Sequence, residues 1–226
     1  MTTFRCVAIE TATAASSVAA CNGERTELLQ LSDARSSSRQ LYKAVAEVLE
    51  RVELKVTELD CVAYGCGPGS FTGVRVAAGA AQAIAFAQEL PVCRVSSLAA
   101  LAAAALRQTA RLPVAACLDA RMGEVYVGVY ARGPGGQIAP LVDDCLVRPG
   151  DFRFAAGRGE LLLAGNGWSA YPELVENNAD FVGATEFDVW PDALAVIDIA
   201  RAQYAASDFV RSFEALPNYL RNKVTF

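Results

Sequence analysis

The chain has 226 residues, 53% hydrophobic but only 8% aromatic, with 20 Lys and Arg against 25 Asp and Glu and no histidine. The missing imidazole excludes Ser-His-Asp and Cys-His nucleophile systems, His-ligated zinc or haem, and the HExxH metallopeptidase helix. A formal charge of -5 argues against a surface that grips a phosphate backbone by counterion release.

In chain order, residues 4–9 form a short apolar run ended by Glu10 and Thr11, which predicts a buried strand. Residues 17–21 predict a second strand, Asn22-Gly23 the positive-φ pair of a two-residue hairpin, and residues 24–31 its partner. The polar stretch 32–38 offers N-caps to a helix whose apolar stripe is Leu41, Ala44, Val45, Val48, Leu49 and Val52. After a polar lead at 57–60, residues 61–65 predict a strand, and a glycine-rich turn opens an Ala-rich helix running to about Glu89. Pro91 ends that helix, 92–95 is another strand, and Ser96-Ser97 caps a helix of nearly pure Leu and Ala. Three strands followed by alternating helices and strands imply a mixed sheet with an antiparallel edge and a parallel centre, as in ribonuclease-H-like or actin-like half-domains.

A second half begins near Pro113 and loosely repeats the opening. Residues 114–118 predict a strand, 119–123 a turn, 124–130 an alternating strand, and Gly133-Pro134-Gly135-Gly136 a hairpin. Residues 161–164 predict a short strand before Gly165-Asn166-Gly167, and Pro191 in a first turn, with Asp192 beside it, starts a last helix to about Ala205. The tail, 216–226, carries Pro217, Tyr219 and Arg221. Two packed subdomains, 1–102 and 103–226, with a cleft between them are the economical arrangement. The fold class is α/β.

Seven cysteines, at 6, 21, 61, 66, 93, 117 and 145, include no CxxC pair and mostly sit in apolar runs. They predict reduced thiols acting as small hydrophobes in a cytoplasmic protein. No basic stretch leads into an apolar segment at the start, and the apolar runs 76–87 and 98–106 are shorter than the ~20 residues of a membrane span. No membrane association is expected.

The sharpest local motif runs from Gly65 to Arg75, between strand and helix. Backbone N–H groups and a helix N-terminus meet there, so Gly67, Gly69, Ser70 and Thr72 are candidates for holding a phosphate. The alternative is a tight turn with Ser70 as N-cap. Arg75, in an otherwise apolar helix, needs an anionic or carbonyl partner, internal or from another chain. Glu10 and the acids of Asp119-Ala-Arg-Met-Gly-Glu124 stand at strand ends where they would hold Mg²⁺ with a nucleotide, or else Asp119 or Glu124 pairs with Arg121. Cys66, near a helix N-terminus, is either an activated thiol or a buried inert one. The helix over 76–87 is apolar on every side, hence fully buried or shared with a partner. Together with Tyr42 and Ala46 on the preceding helix, it predicts an interface.

On Ala8 to Thr13, Tyr64 to Arg75, Asp119 to Tyr126 and Pro217 to Asn222, the chain resembles the bacterial TsaB (YeaZ) family over nearly its full length. That family is the dimerisation subunit of the tRNA threonylcarbamoyladenosine system. The resemblance implies an actin-like ATPase-type fold with a degenerate nucleotide site and no transfer chemistry of its own. It implies pairing with TsaD, which carries the metal and transfers threonylcarbamoyl to the adenosine beside the anticodon, and with TsaE, an ATPase. ATP, metal and tRNA contacts are then expected on those partners, with no cofactor of this chain's own. The contact implied is a four-helix bundle, also open to homodimers, through Leu41, Tyr42, Val45, Val48 and Leu49 on the first helix and Val76, Ala80, Ala83, Ile84 and Ala87 on the second. Two departures stand out: Glu10 replaces the family's usual aspartate, and Ser36-Ser37-Ser38 stands where relatives often carry histidine. The competing class is an ATP-dependent small-molecule kinase of the same fold, resting on the glycine-rich loop and Glu10. A peptidase finds no nucleophile–base pair here.

Overall fold

The computed structural model describes residues 3–31, 38–108, 112–156 and 159–221. The N-cap candidates at 32–37, with two of the three serines of the 36–38 run, and Asn222 lie outside the described residues. The first sheet consists of β1 (Arg5–Glu10), β2 (Ser17–Asn22), β3 (Arg25–Gln30), β4 (Cys61–Gly67) and β5 (Val92–Ser96). Its order is β3-β2-β1-β4-β5, with β1–β2–β3 antiparallel and β1–β4–β5 parallel. The second consists of β6 (Val114–Asp119), β7 (Val125–Arg132), β8 (Ile138–Val147), β9 (Leu161–Ala164) and β10 (Val182–Glu186). Read from its antiparallel side it runs β8-β7-β6-β9-β10, the same topology again.

Six α-helices accompany the sheets among the described residues: α1 (Ser38–Arg51), α2 (Phe71–Gln88), α3 (Ser97–Gln108), α4 (Asn166–Ala170), α5 (Pro172–Glu176) and α6 (Ala193–Ala205). Period-2 alternation sorts each central strand between two layers. Val7, Ile9, Val62 and Tyr64 face α1 and α2, whereas Cys6, Ala8, Cys61 and Ala63 face α3 and α6. The other side of that middle layer receives Val114, Ala116 and Leu118 of β6, while Ala115 and Cys117 point outward to Trp168 of α4 and Leu174 of α5. The order is helix pair, sheet, helix pair, sheet, helix pair. Leu and Ala fill α3 because it is enclosed by both sheets, which explains the small, aromatic-poor composition.

The strands expected from sequence at the starts of both halves are present. The hairpin expected at Gly133 to Gly136 joins β7 to β8, whose extent the sequence leaves open, and missing from those expectations are β10 and the short α4 and α5. Of the two residues expected at the start of α6, Asp192 is the N-cap, its carboxylate accepting the Ala195 N–H at 2.7 Å, and Pro191 precedes it rather than standing in the first turn. The α/β class and the mixed sheets are as the sequence implies. Residue 102 lies inside α3, and α6 returns from the second half to pack on β1, β2, β4 and β5.

Candidate functional site

A cleft of about 770 Å³ opens between the lobes, walled by the β1–β2 turn and glycine-rich loop on one side and the β6–β7 turn on the other. The loop is shaped by its contact with the end of β1. Ser70 donates its N–H to the Ala12 carbonyl at 2.7 Å, and the Thr11 hydroxyl donates to the Gly73 carbonyl at 2.7 Å. A Cβ at Gly73 would stand 1.9 Å from the Thr11 carbonyl oxygen, and one at Gly69 2.5 Å from that of Ala12. Glycine is therefore required here by backbone packed on backbone. Ser70 caps α2 by accepting the Gly73 N–H at 3.3 Å. Of the four phosphate-loop candidates, Gly69, Ser70 and Thr72 line the cleft, whereas Gly67 is buried behind Asn218.

Glu10 and Asp119 do not share that cleft. Glu10 is sealed inside: it accepts the Ala12 N–H at 2.7 Å and the Ser97 hydroxyl at 2.9 Å, and burial pushes its carboxyl up to about 7. Asp119 lines the cleft, accepts the Arg121 N–H at 2.8 Å and pairs with that residue's guanidinium at 3.2 Å. Glu124 pairs instead with Arg221, whose guanidinium also reaches the carbonyls of Ala120 at 3.2 Å and Arg121 at 3.3 Å. Burial pushes the Cys66 thiol up to about 11, so it is no activated nucleophile.

The C-terminal strap closes the cleft's mouth. Tyr64 donates its hydroxyl to the Leu216 carbonyl at 3.0 Å and Asn218 donates its N–H to the Cys66 carbonyl at 2.7 Å. Arg75 finds its partner inside the chain: Nε donates to the Tyr219 hydroxyl at 2.7 Å while the guanidinium lies 3.4 Å over the Phe71 ring. These pairings join residues 144 and 97 positions apart (Arg75 with Tyr219, Arg221 with Glu124), so no local signal could have announced them.

The helix pair divides by direction. Leu41, Val45, Val48 and Leu49 of α1 and Ala80 and Ile84 of α2 are buried against the first sheet, in the chain's own core. Val76 is half-buried. Tyr42, Ala83 and Ala87 point outward, joined by Ala46, Gly79 and Phe86, the last 78% exposed. The sequence stripe thus marks the face the monomer needs, and the remaining face is what another molecule could meet.

The family model described as "TsaD: tRNA N6-adenosine threonylcarbamoyltransferase" matches residues 32–217. A protein of Haemophilus influenzae called "tRNA threonylcarbamoyladenosine biosynthesis protein TsaB" is 34% identical, over 97% of this chain and 94% of the relative. The Escherichia coli protein of the same name is also 34% identical, over 99% and 97%. The solved structure of "YeaZ from Pseudomonas aeruginosa" superposes with a TM-score of 0.88 at 32% identity, covering 96% of this chain and all of that one.

Proposed function

The chain belongs to the TsaB (YeaZ) family, within the wider family that carries the TsaD description, and on that premise we propose that it is a non-catalytic docking subunit in tRNA threonylcarbamoyladenosine biosynthesis. It binds TsaD and positions it for the transfer, and TsaE joins that pair. One observation carries this reading: the outward face of α1 and α2 presents Gly79, Ala83 and Ala87 at successive helical turns beside an exposed Phe86. Small residues let a second helix approach closely, and the aromatic supplies a large apolar anchor. A partner of the same fold would offer its own equivalent pair, so a pseudo-twofold bundle of four helices forms, and a second copy of this chain fits the same way.

Catalysis and tRNA contact fall to the partners in this scheme. The glycine-rich loop is engaged with β1, Glu10 is enclosed, and the charge of -5 disfavours tRNA binding by this chain alone. The test is sedimentation of the full chain titrated with TsaD. A one-to-one complex is expected, lost in Ala83→Arg while the thermal midpoint of the free chain stays unchanged. A complex that survives Ala83→Arg moves the interface elsewhere and overturns the proposal.

A further inference from the structure

The outward face of α1 and α2 is small for the complex it is asked to hold. Seven residues of α1 and seven of α2 are exposed among those described, and four of them, Ala46, Gly79, Ala83 and Ala87, bring little side-chain area. A stable interface takes about 20–30 residues from each side. A stable complex therefore draws on surface beyond the two helices, and the C-terminal strap lies against α2.

The strap is pinned where it passes α2. Val210 and Val92 exchange two backbone hydrogen bonds of 2.9 Å, which ties the strap to the edge of β5. Gln82 Nε2 donates to the Ala215 carbonyl at 3.2 Å, and the Ala215 side chain is fully buried in the core beneath α2. Between these anchors the Glu214 carboxylate closes the turn Ser212–Glu214 by accepting the Arg211 N–H at 3.1 Å. Phe213 and Leu216 are thus held in place, yet they stay 67% and 56% exposed. On α2 the strap meets Phe71, Arg75 and Gln82, four and seven positions apart on one line of the helix. Phe86 is the next position on that line.

Nine large apolar side chains are exposed among the described residues, and six of them belong to α1, α2 and the strap: Tyr42, Phe71, Phe86, Phe213, Leu216 and Tyr219. Exposed apolar residues scattered singly need no explanation, but this gathering around one helix marks a binding surface. Phe71 and Tyr219 are engaged with Arg75. Phe86, Phe213 and Leu216 remain as anchors for another molecule, with the small residues of α2 beside them.

We propose that Phe213 and Leu216 are contacts of the TsaD interface, a third rib beside α2 that takes an apolar ridge flanking the partner's helix pair. The proposal rests on the docking reading above and extends its surface from two helices to three ribs.

The test is titration of the full chain with TsaD, followed by sedimentation. Phe213→Ser combined with Leu216→Ser is expected to raise the dissociation constant at least about tenfold. The thermal midpoint of the free chain should stay unchanged, because both side chains lie outside its core. In the unmodified complex, amide hydrogen exchange at 211–216 should slow together with that at 79–87. A double variant that binds normally while Ala83→Arg abolishes the complex overturns this inference and leaves the helix reading standing. Binding untouched by either change overturns both. A double variant that alters only self-association of the free chain gives the rib to a second copy and overturns the assignment to TsaD. Should the double variant fail to fold, the exchange measurement decides, and slowing confined to α1 and α2 overturns the proposal.

Discussion

β1 and β6 hold the same place in two sheets of one topology, and each ends in an acid, but the two acids live differently. Glu10 is enclosed between the Ala12 N–H and the Ser97 hydroxyl, while Asp119 faces the cleft and meets Arg121. The outer layers diverge in the same way. The first lobe carries helices of 14 and 18 residues, the second of them capped by Ser70, with an aliphatic interior. The second lobe carries two five-residue helices without side-chain caps, held by Trp168, Phe154 and Phe181 packed ring against ring. One outer layer stands as helices that present a face; the other is a lid tied down by aromatics. Repeating a topology therefore does not repeat its surfaces.

The largest break in that contrast comes from Trp168, which is fully buried and donates its indole N–H to the Ala115 carbonyl at 2.9 Å. Trp168→Ala removes the ring on which α4 and α5 rest and should cost about 3–5 kcal/mol in urea unfolding. Because the lid is remote from α2, binding of TsaD by the folded fraction should stay unchanged. Loss of binding without loss of stability would show that the second lobe, too, presents a docking face.

Next comes the pair of strand-end acids. Burial raises Glu10 from an ordinary 4.5 to about 7, so the folded chain holds that proton more tightly than the unfolded chain does. Its contribution is fully present below about pH 4.5 and is lost as pH rises through about 7, a decline of about 3 kcal/mol. Glu10→Gln keeps the acceptor for Ala12 without the charge, and its unfolding midpoint should be flatter across that window. An equally steep profile in Glu10→Gln would place the titration elsewhere. A smaller effect is expected at the α2 cap: Ser70→Ala leaves the Gly73 N–H without its acceptor and should cost about 1 kcal/mol.

Much of this architecture is readable in the residues, for reasons that also explain the omissions. Strands β1, β2, β4 and β6 are buried on both faces and read as unbroken apolar runs, and α1 shows its stripe because one face meets the sheet. β8 is an edge strand, half-exposed for most of its length and containing Pro140, Asp143 and Asp144, so neither alternation nor an apolar run marks it. α4 and α5 are single turns, too short for any period. At the candidate site the glycines are visible, but their reason is not: only the fold brings Thr11 and Ala12 against Gly69 and Gly73. Likewise the partners of Arg75 and Glu124 come from the strap, far along the chain. The ten helix residues implicated by resemblance mix two faces, since periodicity marks only the buried stripe.

The smallest expected change is the one that separates folding from docking most cleanly. Gly79 sits in the interior of α2, and a Cβ built there meets nothing within 4 Å. In the free chain Gly79→Ala removes backbone entropy from the unfolded state and adds no clash, so it should stabilise by up to about 1 kcal/mol. If the outward face of α2 only meets solvent, that gain is the whole effect. If a partner helix packs there, the added methyl stands between two closely approached backbones and association weakens while the monomer strengthens. A thermal midpoint that rises together with a dissociation constant that rises is the signature of a surface glycine kept for a partner. A variant that gains stability and binds TsaD as before would mean that the contact lies along Phe86 and α1, with Gly79 at its rim.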